Sequence, residues 1–220
     1  AGFMIHSHEL SHGQIKNKFI NNLIANISGS LSFINFYSFQ YAHRLHHKNI
    51  GNINAIEAGA PISLSGQKNI RKEDKAHKNA VKIFTVSKLI WFIISWPFFI
   101  YYGDYSSWLL PFSIKGKIDK KSLINFLIFA LVNVTILCIF PLQYIFLYLI
   151  PVLIGGNRIL AITSMHHAHE DTIFFNDKDH NFFNVIMSST DKDYGTIVNF
   201  FMMNNGFHIP HHMNPQIAYY

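Results

Sequence analysis

Long apolar runs, separated by polar and basic segments, organise this chain. About 20 predominantly apolar residues suffice for a helix that crosses a bilayer. Residues 83–102 have that length and carry one lysine near an end, Lys88. Tyr105 and Trp108 follow, and aromatic residues of this kind are typical of the membrane interface. The pattern predicts a first transmembrane helix at 83–102.

A second apolar run covers residues 122–157 and contains no charged residue. As one α-helix it would extend about 54 Å at about 1.5 Å per residue, against a hydrocarbon core of about 30 Å. It is either one long helix kinked at Pro141 and Pro151 or a pair of spans. Because the part after Pro141 is short for a crossing, we predict one span whose surplus continues beyond the membrane.

Two further segments are apolar without being spans. Residues 19–42 carry several asparagines and serines, whose polar groups are costly to place in hydrocarbon, so we predict that this segment lies in the interface. Residues 48–67 are rich in small and polar residues and predict a loop. Residues 170–207 hold six acidic residues and no spanning run, which predicts a compact cap outside the bilayer.

Composition agrees with a membrane protein. Only 14% of the residues are charged, compared with roughly 25% in soluble domains. The net charge of +6 would suit nucleic acid or anionic lipid, but basic residues flank the apolar runs and no nucleic-acid motif is present. The lysine-rich stretch 68–82 is either a face near lipid headgroups or a docking surface for an acidic electron carrier. Cys138 is the single cysteine, which excludes a disulfide framework.

Histidines fall in four short motifs. H-E-L-S-H covers residues 8–12, H-R-L-H-H covers 43–47, H-I-P-H-H covers 208–212, and H-H-A-H covers 166–169. Residues at i, i+3 and i+4 share one face of a helix, and imidazole is a good ligand for iron, zinc, copper or nickel. The motifs therefore predict a metal centre. We expect His6, His77 and His180, which lie outside this pattern, to be surface residues.

Two alternative metal chemistries start from the first motif. H-E-x-x-H is a zinc protease signature with Glu9 as general base, but a peptidase would need one further ligand and would leave both H-x-x-H-H motifs unexplained. E-x-x-H also occurs in ferritin-like di-iron bundles, which require further glutamates. The chain has too few glutamates for that site, so only the peptidase remains as an alternative.

The predicted spans place all four motifs on one side of the membrane. No span separates the first two motifs, two spans lie between the second and the third, and none precedes the last. The opposite side then holds a loop with Lys115, Lys117, Lys120 and Lys121. Because most basic residues fall on the histidine side, the positive-inside rule predicts that this side is cytoplasmic.

The three longer motifs, in this order and with spans between the second and third, resemble the histidine boxes of the membrane fatty acid desaturase family. Related alkane hydroxylases and carotenoid ketolases share the general plan. The approach N-N-G-F-H at 204–208 and the exit M-N-P at 213–215 also resemble bacterial members. The likeness covers almost the whole chain.

The resemblance implies a centre of two iron ions that uses O2 and two external electrons to oxidise an acyl chain. The family adds one ligand from the segment before the last box; His167 is our choice, with His166 and His169 as alternatives. Glu9, Asp171 and Asn204 are candidate hydrogen-bond acceptors behind the ligands. By box matching, the implied iron ligands are His8, His12, His43, His46, His47, His167, His208, His211 and His212.

The resemblance also implies partners and an architecture. No G-x-G-x-x-G motif follows a strand, so electrons come from a separate protein, ferredoxin or cytochrome b5 by analogy. The substrate class is a fatty acyl lipid, an acyl-CoA or an acyl carrier protein. Desaturation is favoured over hydroxylation or ketolation on family frequency.

The expected fold class is all-α, an integral membrane helical bundle with interfacial helices and a cytoplasmic cap that carries a histidine-rich di-metal site. We expect residues 1–220 to form one desaturase-like domain. Two departures from the family are a glutamate, Glu9, where aspartate is common, and the lack of a hydrophobic hairpin before the first box. We therefore expect the chain to be a fragment that lacks this hairpin and a C-terminal tail.

Overall fold

The computed structural model describes residues 2–52, 120–167 and 173–217, and these residues are mostly helical. The predicted span at 83–102, most of the predicted loop at 48–67 and the basic stretch at 68–82 lie outside the described residues. So do His77, Lys115 and Lys117. The α-helices are α1 (Gly2–Ser11), α2 (Lys18–Ser30), α3 (Phe36–Asn49), α4 (Lys120–Ile139), α5 (Pro141–Gln143), α6 (Ile150–His167), α7 (Phe182–Met187), α8 (Thr196–Phe201) and α9 (His208–Met213).

Helix α2 is amphipathic with its polar face turned inward. Asn17 begins it by accepting hydrogen bonds from the backbone N–H groups of Phe19 and Ile20, which satisfies two otherwise unpaired donors. The buried positions carry small or polar residues such as Asn21 and Ala25, whereas Phe19 is 75% exposed. Ile20, Leu23, Ile24 and Ile27 are exposed on the same helix. This outward apolar face agrees with a segment that contacts lipid.

The uncharged run 122–157 folds back on itself between α4 and α5, so the prediction of one continuous kinked helix is wrong, while the number of membrane crossings stays a prediction. The Tyr144 hydroxyl donates to Asn133 Oδ1 over 2.6 Å, although residues 11 apart in a straight helix lie about 16 Å apart along its axis. The Phe33 ring centroid lies 5.3 Å from that of Phe129 and 5.6 Å from that of Tyr148. In a straight helix Phe129 and Tyr148 would be about 28 Å apart along the axis.

The reversal occurs at Phe140, just before Pro141. Phe140 leaves the helical region (φ −131°, ψ 62°), and Pro141 begins the next helix as its first residue, where a proline costs no hydrogen bond. A π-helical segment, Tyr144–Leu149, then leads into α6, which continues through Pro151 without a break. We call the unit from α4 to α6 the helical hairpin. The prediction relied on the shortness of the apolar run after Pro141. It did not anticipate that the helix would break at Phe140, just before this proline.

The hairpin begins beside the histidine-bearing helices, which corrects a second prediction. Asn35 Nδ2 donates to the Ser122 carbonyl oxygen over 2.8 Å, and the Ser122 hydroxyl donates to Asn35 Oδ1 over 2.9 Å. The hydroxyls of Ser38 and Ser122 are 2.5 Å apart. Ser38 precedes His43 on α3 by little more than one turn, so Lys120 and Lys121 lie on the histidine side and not on the opposite side.

Among the described residues, one helix is long and apolar enough to cross a membrane, Lys120–Ile139, and Ser122 is its one buried residue. The apolar helical segment Pro141–Gly156 is shorter. Exposed large side chains such as Leu131 and Leu147 cover both arms of the hairpin. The Tyr144–Asn133 hydrogen bond joins the two arms.

The segment from 173 to 217 packs short helices against the end of α3. Gly51 lies two residues after the end of α3 with φ +77°, and a Cβ there would lie 1.8 Å from Ser188 Oγ, so only glycine fits this turn. An isolated parallel bridge joins Asn52 to Phe175, and no strand forms within residues 2–52, 120–167 and 173–217. Helices α7 and α8 leave Phe182, Phe200 and several neighbours exposed. Whether this cap lies outside the bilayer stays a prediction.

Candidate metal centre

Nine histidines converge in two adjacent groups at the end of the molecule opposite the hairpin turn. Within each group the ligand atoms lie within 4.8 Å of one another, as required for residues that bind one metal ion. The five-histidine group consists of His8, His12, His43, His47 and His211, and the four-histidine group of His46, His167, His208 and His212.

Four helices contribute to the two groups, and α3 contributes to both. His43 and His47 face one group, while His46, between them, faces the other. Helix α9 divides in the same way, with His211 in the five-histidine group and His208 and His212 in the four-histidine group. The ring centroids of His46 and His47 are 5.8 Å apart. The H-x-x-H-H spacing thus places imidazoles in two neighbouring sites from one helical turn.

Hydrogen bonding between imidazoles does not explain this convergence. His43 Nε2 lies 3.0 Å from His12 Nε2 and 2.9 Å from His47 Nε2. His208 Nε2 lies 2.8 Å from His167 Nε2 and 3.1 Å from His212 Nε2. A neutral imidazole nitrogen either donates one hydrogen or accepts with one lone pair, so it cannot satisfy two such neighbours. Nitrogens that meet three at a time at this distance fit a metal ion.

Burial keeps seven of these histidines neutral, which is the form that binds a metal. Burial, followed by the nearby His8, lowers the pKa of His12 to about 3. Burial also holds the pKa values of His43 and His208 well below the usual range, and neighbouring imidazoles lower them further. The same two causes lower the pKa values of His47, His167, His211 and His212.

The C-terminal end of α6 carries two buried histidines with different surroundings. His167 Nδ1 donates to the Ser188 carbonyl oxygen over 3.4 Å and lies 3.3 Å from the Ser189 hydroxyl, so its Nε2 faces the four-histidine group. His166 Nδ1 donates to the Thr190 carbonyl oxygen over 3.0 Å, and its ring stacks on that of His208. Of the three histidines predicted for this role, His167 lies in the group, His166 lies beside it, and His169 is outside the described residues.

Of the predicted supporting residues, Glu9 contacts a group member. Its carboxylate is buried, and Oε1 lies 3.1 Å from His8 Nδ1. Asn204 lies in the turn before α9 with a left-handed backbone, φ 57°, and Asp171 is outside the described residues. His6 and His180 are exposed, and neither belongs to a group.

Asp191 holds the last histidine helix in place, a role that the sequence did not reveal. Its Oδ1 accepts from the backbone N–H of Ile209 over 2.7 Å, at the start of α9. The next residue, Lys192, donates its backbone N–H to the Gly206 carbonyl oxygen over 2.9 Å. A Cβ on Gly206 would lie 2.1 Å from the Lys192 carbonyl oxygen. Capping signals usually lie within three residues of a helix start, so an aspartate this distant gave no local signal.

The segment after α9 joins the last motif to the first. Gln216 Nε2 donates to the His12 carbonyl oxygen over 2.8 Å, and Gln14 Nε2 donates to the Pro215 carbonyl oxygen over 3.1 Å. Residues about 200 positions apart in sequence are thereby held next to each other. The exit M-N-P, which the sequence singled out as a resemblance, lies at this junction.

A sequence model of the fatty acid desaturase family matches residues 1–220. The chain belongs to the fatty acid desaturase family. This membership agrees with the resemblance of the three histidine boxes. It does not favour the zinc peptidase alternative, and the five histidines that gather around His8 and His12 exceed the usual three protein ligands of a catalytic zinc site.

Curated relatives of this desaturase-family chain are distant in sequence. The chain is 24% identical to a protein of Nostoc sp. named sn-1 acyl-lipid omega-3 desaturase (ferredoxin), over 97% of the chain and 59% of that protein. It is 24% identical to the chloroplastic omega-3 fatty acid desaturase of Brassica napus, over 97% and 54%. It is 22% identical to the Delta(12)-fatty-acid desaturase of Arabidopsis thaliana, over 100% and 60%.

The desaturase-family chain spans between about half and three fifths of the length of these relatives. No solved structure matches it.

Proposed function

We propose that this protein is a membrane oxidoreductase that introduces a double bond into a fatty acyl chain, with two iron ions and O2. The observation that carries the proposal is the pair of adjacent groups of imidazoles, six of the nine buried, which hydrogen bonding alone does not explain. Membership of the fatty acid desaturase family supports the reaction class. The ligand assignment of all nine histidines remains a prediction.

The residues of the chain bind and orient the centre. The carboxylate of Glu9 and the carbonyl oxygen of Ser188 accept from the Nδ1 atoms of His8 and His167, which directs the Nε2 atoms of these rings inward. Burial of His43, His46, His208, His211 and His212 limits the access of water to these ligands. When bound, two iron ions would supply the O2 chemistry that cleaves an unactivated C–H bond.

Desaturation and hydroxylation diverge in how the oxidised carbon is placed, and a misplacement of about 1 Å changes rates about 100-fold. Relatives whose names state an acyl-lipid substrate and ferredoxin support a lipid-borne acyl chain and an external iron–sulfur donor. An acyl-CoA or acyl carrier protein substrate, and cytochrome b5 as donor, are the alternatives. Residues 1–220 would form one desaturase-like domain.

We place the helical hairpin in the membrane and the histidine groups at its cytoplasmic surface. Helix α4 has 20 residues, about 30 Å of helix, which matches the hydrocarbon core. Both ends of the hairpin meet the histidine side, through Ser122 and through His167. The turn at Phe140 would then lie at the far side of the bilayer.

Metal content and lipid products test the oxidative function. The purified protein should hold about two iron ions per chain, since nine imidazoles exceed the coordination of one ion. Gas chromatography of lipids from a host that expresses the full-length protein should show a new unsaturated acid, absent with His211→Ala. One tightly bound zinc ion without iron would favour the alternative that the protein is a zinc peptidase. A hydroxy acid in place of the unsaturated acid would change the reaction but keep the centre.

Single-cysteine labelling tests the topology. In a Cys138→Ser background, cysteines at Lys120 and at Asn176 should react with an impermeant reagent from the same side, and a cysteine at Leu142 from the opposite side. All three positions are exposed. Labelling of Leu142 and Asn176 from the same side would contradict the inserted hairpin.

A further inference from the structure

A basic groove lies beside the five-histidine group. It encloses about 620 Å³, a volume within the usual range for small-molecule sites. Its wall includes His12, a member of the group, and four cationic side chains: Lys16, Lys18, Arg44 and Lys121. We use the name basic groove for the space between these four residues.

The groove has an excess of positive charge that nothing in the described chain neutralises. No aspartate or glutamate lines it. Within residues 2–52, 120–167 and 173–217, none of the four cations has a carboxylate at ion-pair distance. Arg44 also helps to lower the pKa of His12, so its guanidinium charge acts on the edge of the metal centre. A concave site with four unmatched cations fits an anion with several acceptor oxygens, such as a phosphate.

The position of the groove indicates where that phosphate comes from. Lys16 and Lys18 precede the outward apolar face of α2, which begins at Phe19. Lys121 lies at the start of α4, the helix long enough to span a bilayer. Both approaches to the groove therefore change from basic to apolar within one or two residues, which is the polarity change at a phospholipid surface.

We propose that the basic groove binds the phosphate of a glycerophospholipid headgroup and so presents the attached acyl chain to the metal centre. This inference rests on the proposed function for the fate of the acyl chain, but the binding itself does not. Tyr37 and Tyr41 line the same space and supply aromatic surface and hydroxyl groups next to the cations.

The test measures lipid binding without turnover. Metal-free protein in a non-ionic detergent is titrated with dihexanoyl phosphatidylglycerol below its micelle concentration, by calorimetry. Parallel titrations use dihexanoylglycerol, inorganic phosphate and coenzyme A. We expect the phospholipid to bind at least about 10-fold more tightly than each of the other three, because it alone combines a phosphate with adjacent acyl chains.

Charge removal identifies the site. The double variant Arg44→Gln, Lys121→Gln should bind the phospholipid about 10-fold to 30-fold more weakly, since each cation near an anionic lipid contributes about 1 kcal/mol. Arg44→Lys, which keeps the charge, should lose much less. The matched control Lys48→Gln, Lys178→Gln removes two exposed lysines that do not line the groove and should bind normally.

Three results would overturn the proposal: unchanged phospholipid binding in the double variant, equal binding of dihexanoylglycerol, or binding of inorganic phosphate or coenzyme A as tight as that of the phospholipid. Because no iron, O2 or turnover is involved, this failure is separate from a failure of the proposed oxidation. If the protein binds the lipid in the groove but contains no iron, this inference stands and the proposed function is contradicted.

Discussion

The part of the molecule that holds the two histidine groups, here called the histidine end, differs from the helical hairpin in which side chains it buries and which it exposes. At the histidine end the buried side chains include six histidines of the two groups, Glu9 and many serines and asparagines. Along the hairpin, most of the exposed side chains are leucine, isoleucine, valine and phenylalanine. Polar groups face inward at one end and apolar groups face outward at the other.

This difference shows that the two regions are built for different surroundings. An apolar surface as extensive as that of the hairpin is rare on a soluble monomer and marks a membrane or protein contact. Buried imidazoles are costly unless they are paired or bound to a metal. The same kind of substitution should therefore have opposite consequences in the two regions, and four changes test this.

The largest effect is expected at the histidine end. His43→Ala and His208→Ala each remove one member of a different group. Because loss of an outer partner alone costs about 10-fold to 100-fold in metal affinity or activity, loss of a ligand should lower activity by more than about 100-fold. His6→Ala, on the exposed face of α1, is the control. Product formation and iron content are the readouts. Full activity in His43→Ala would show that the five-histidine group is not a catalytic metal site.

A charge on the hairpin should be the next largest change. Leu131 is 69% exposed on α4, and lysine at the centre of a spanning helix costs about 2.5–3.5 kcal/mol. Leu131→Lys should lower membrane insertion, as measured by resistance to alkaline extraction. Ile217→Lys places the same charge at an exposed position of the histidine end and should have little effect. Equal tolerance of both lysines would show that the hairpin faces water.

A substitution at the junction between the two regions should have an effect of intermediate size. Asn35→Ala leaves the Ser122 carbonyl and hydroxyl without their Asn35 partners, and a buried group that loses its partner costs about 1–3 kcal/mol. A thermal denaturation midpoint several degrees lower is expected. Asn176→Ala, exposed and without a side-chain capping bond, is the control. No shift in Asn35→Ala would mean that the hairpin is held by other contacts.

The smallest effect is expected for the support of α9. Asp191→Ala removes the acceptor for the Ile209 N–H, and the loss of a capping acceptor costs about 1 kcal/mol. Asp191→Asn keeps an oxygen at this position and should restore most of the stability. Asp179→Ala, an exposed aspartate, should be neutral. A stability loss in Asp191→Asn equal to that in Asp191→Ala would argue against capping.

The sequence predicted the histidine end well because its signals are local. The i, i+3, i+4 spacing of His43, His46 and His47 follows from helix geometry alone, and the motifs matched one family in order. What spacing could not show is that His46 belongs to a different group from its two neighbours. That division depends on where α6 and α9 approach α3, which is a property of long-range packing.

The hairpin was predicted less well because its signals conflict. Length favoured one span, Pro141 favoured a break, and an apolar run carries no periodicity that locates a turn. The deciding contacts join Phe33 to both arms and Tyr144 to Asn133, and none of them can be read from neighbouring residues. Asp191 was missed for the same reason. The predicted cytoplasmic side and the identity of the metal remain predictions.

The contact between Gln216 and His12 has a consequence for how the protein is made. The first histidine motif is synthesised some 200 residues before the segment that closes over it. His208, His211 and His212 emerge from the ribosome only after both arms of the hairpin have been translated. Neither histidine group is complete until then, so we expect metal loading to be the last step of maturation, after membrane insertion, with the first two motifs kept empty until the third arrives.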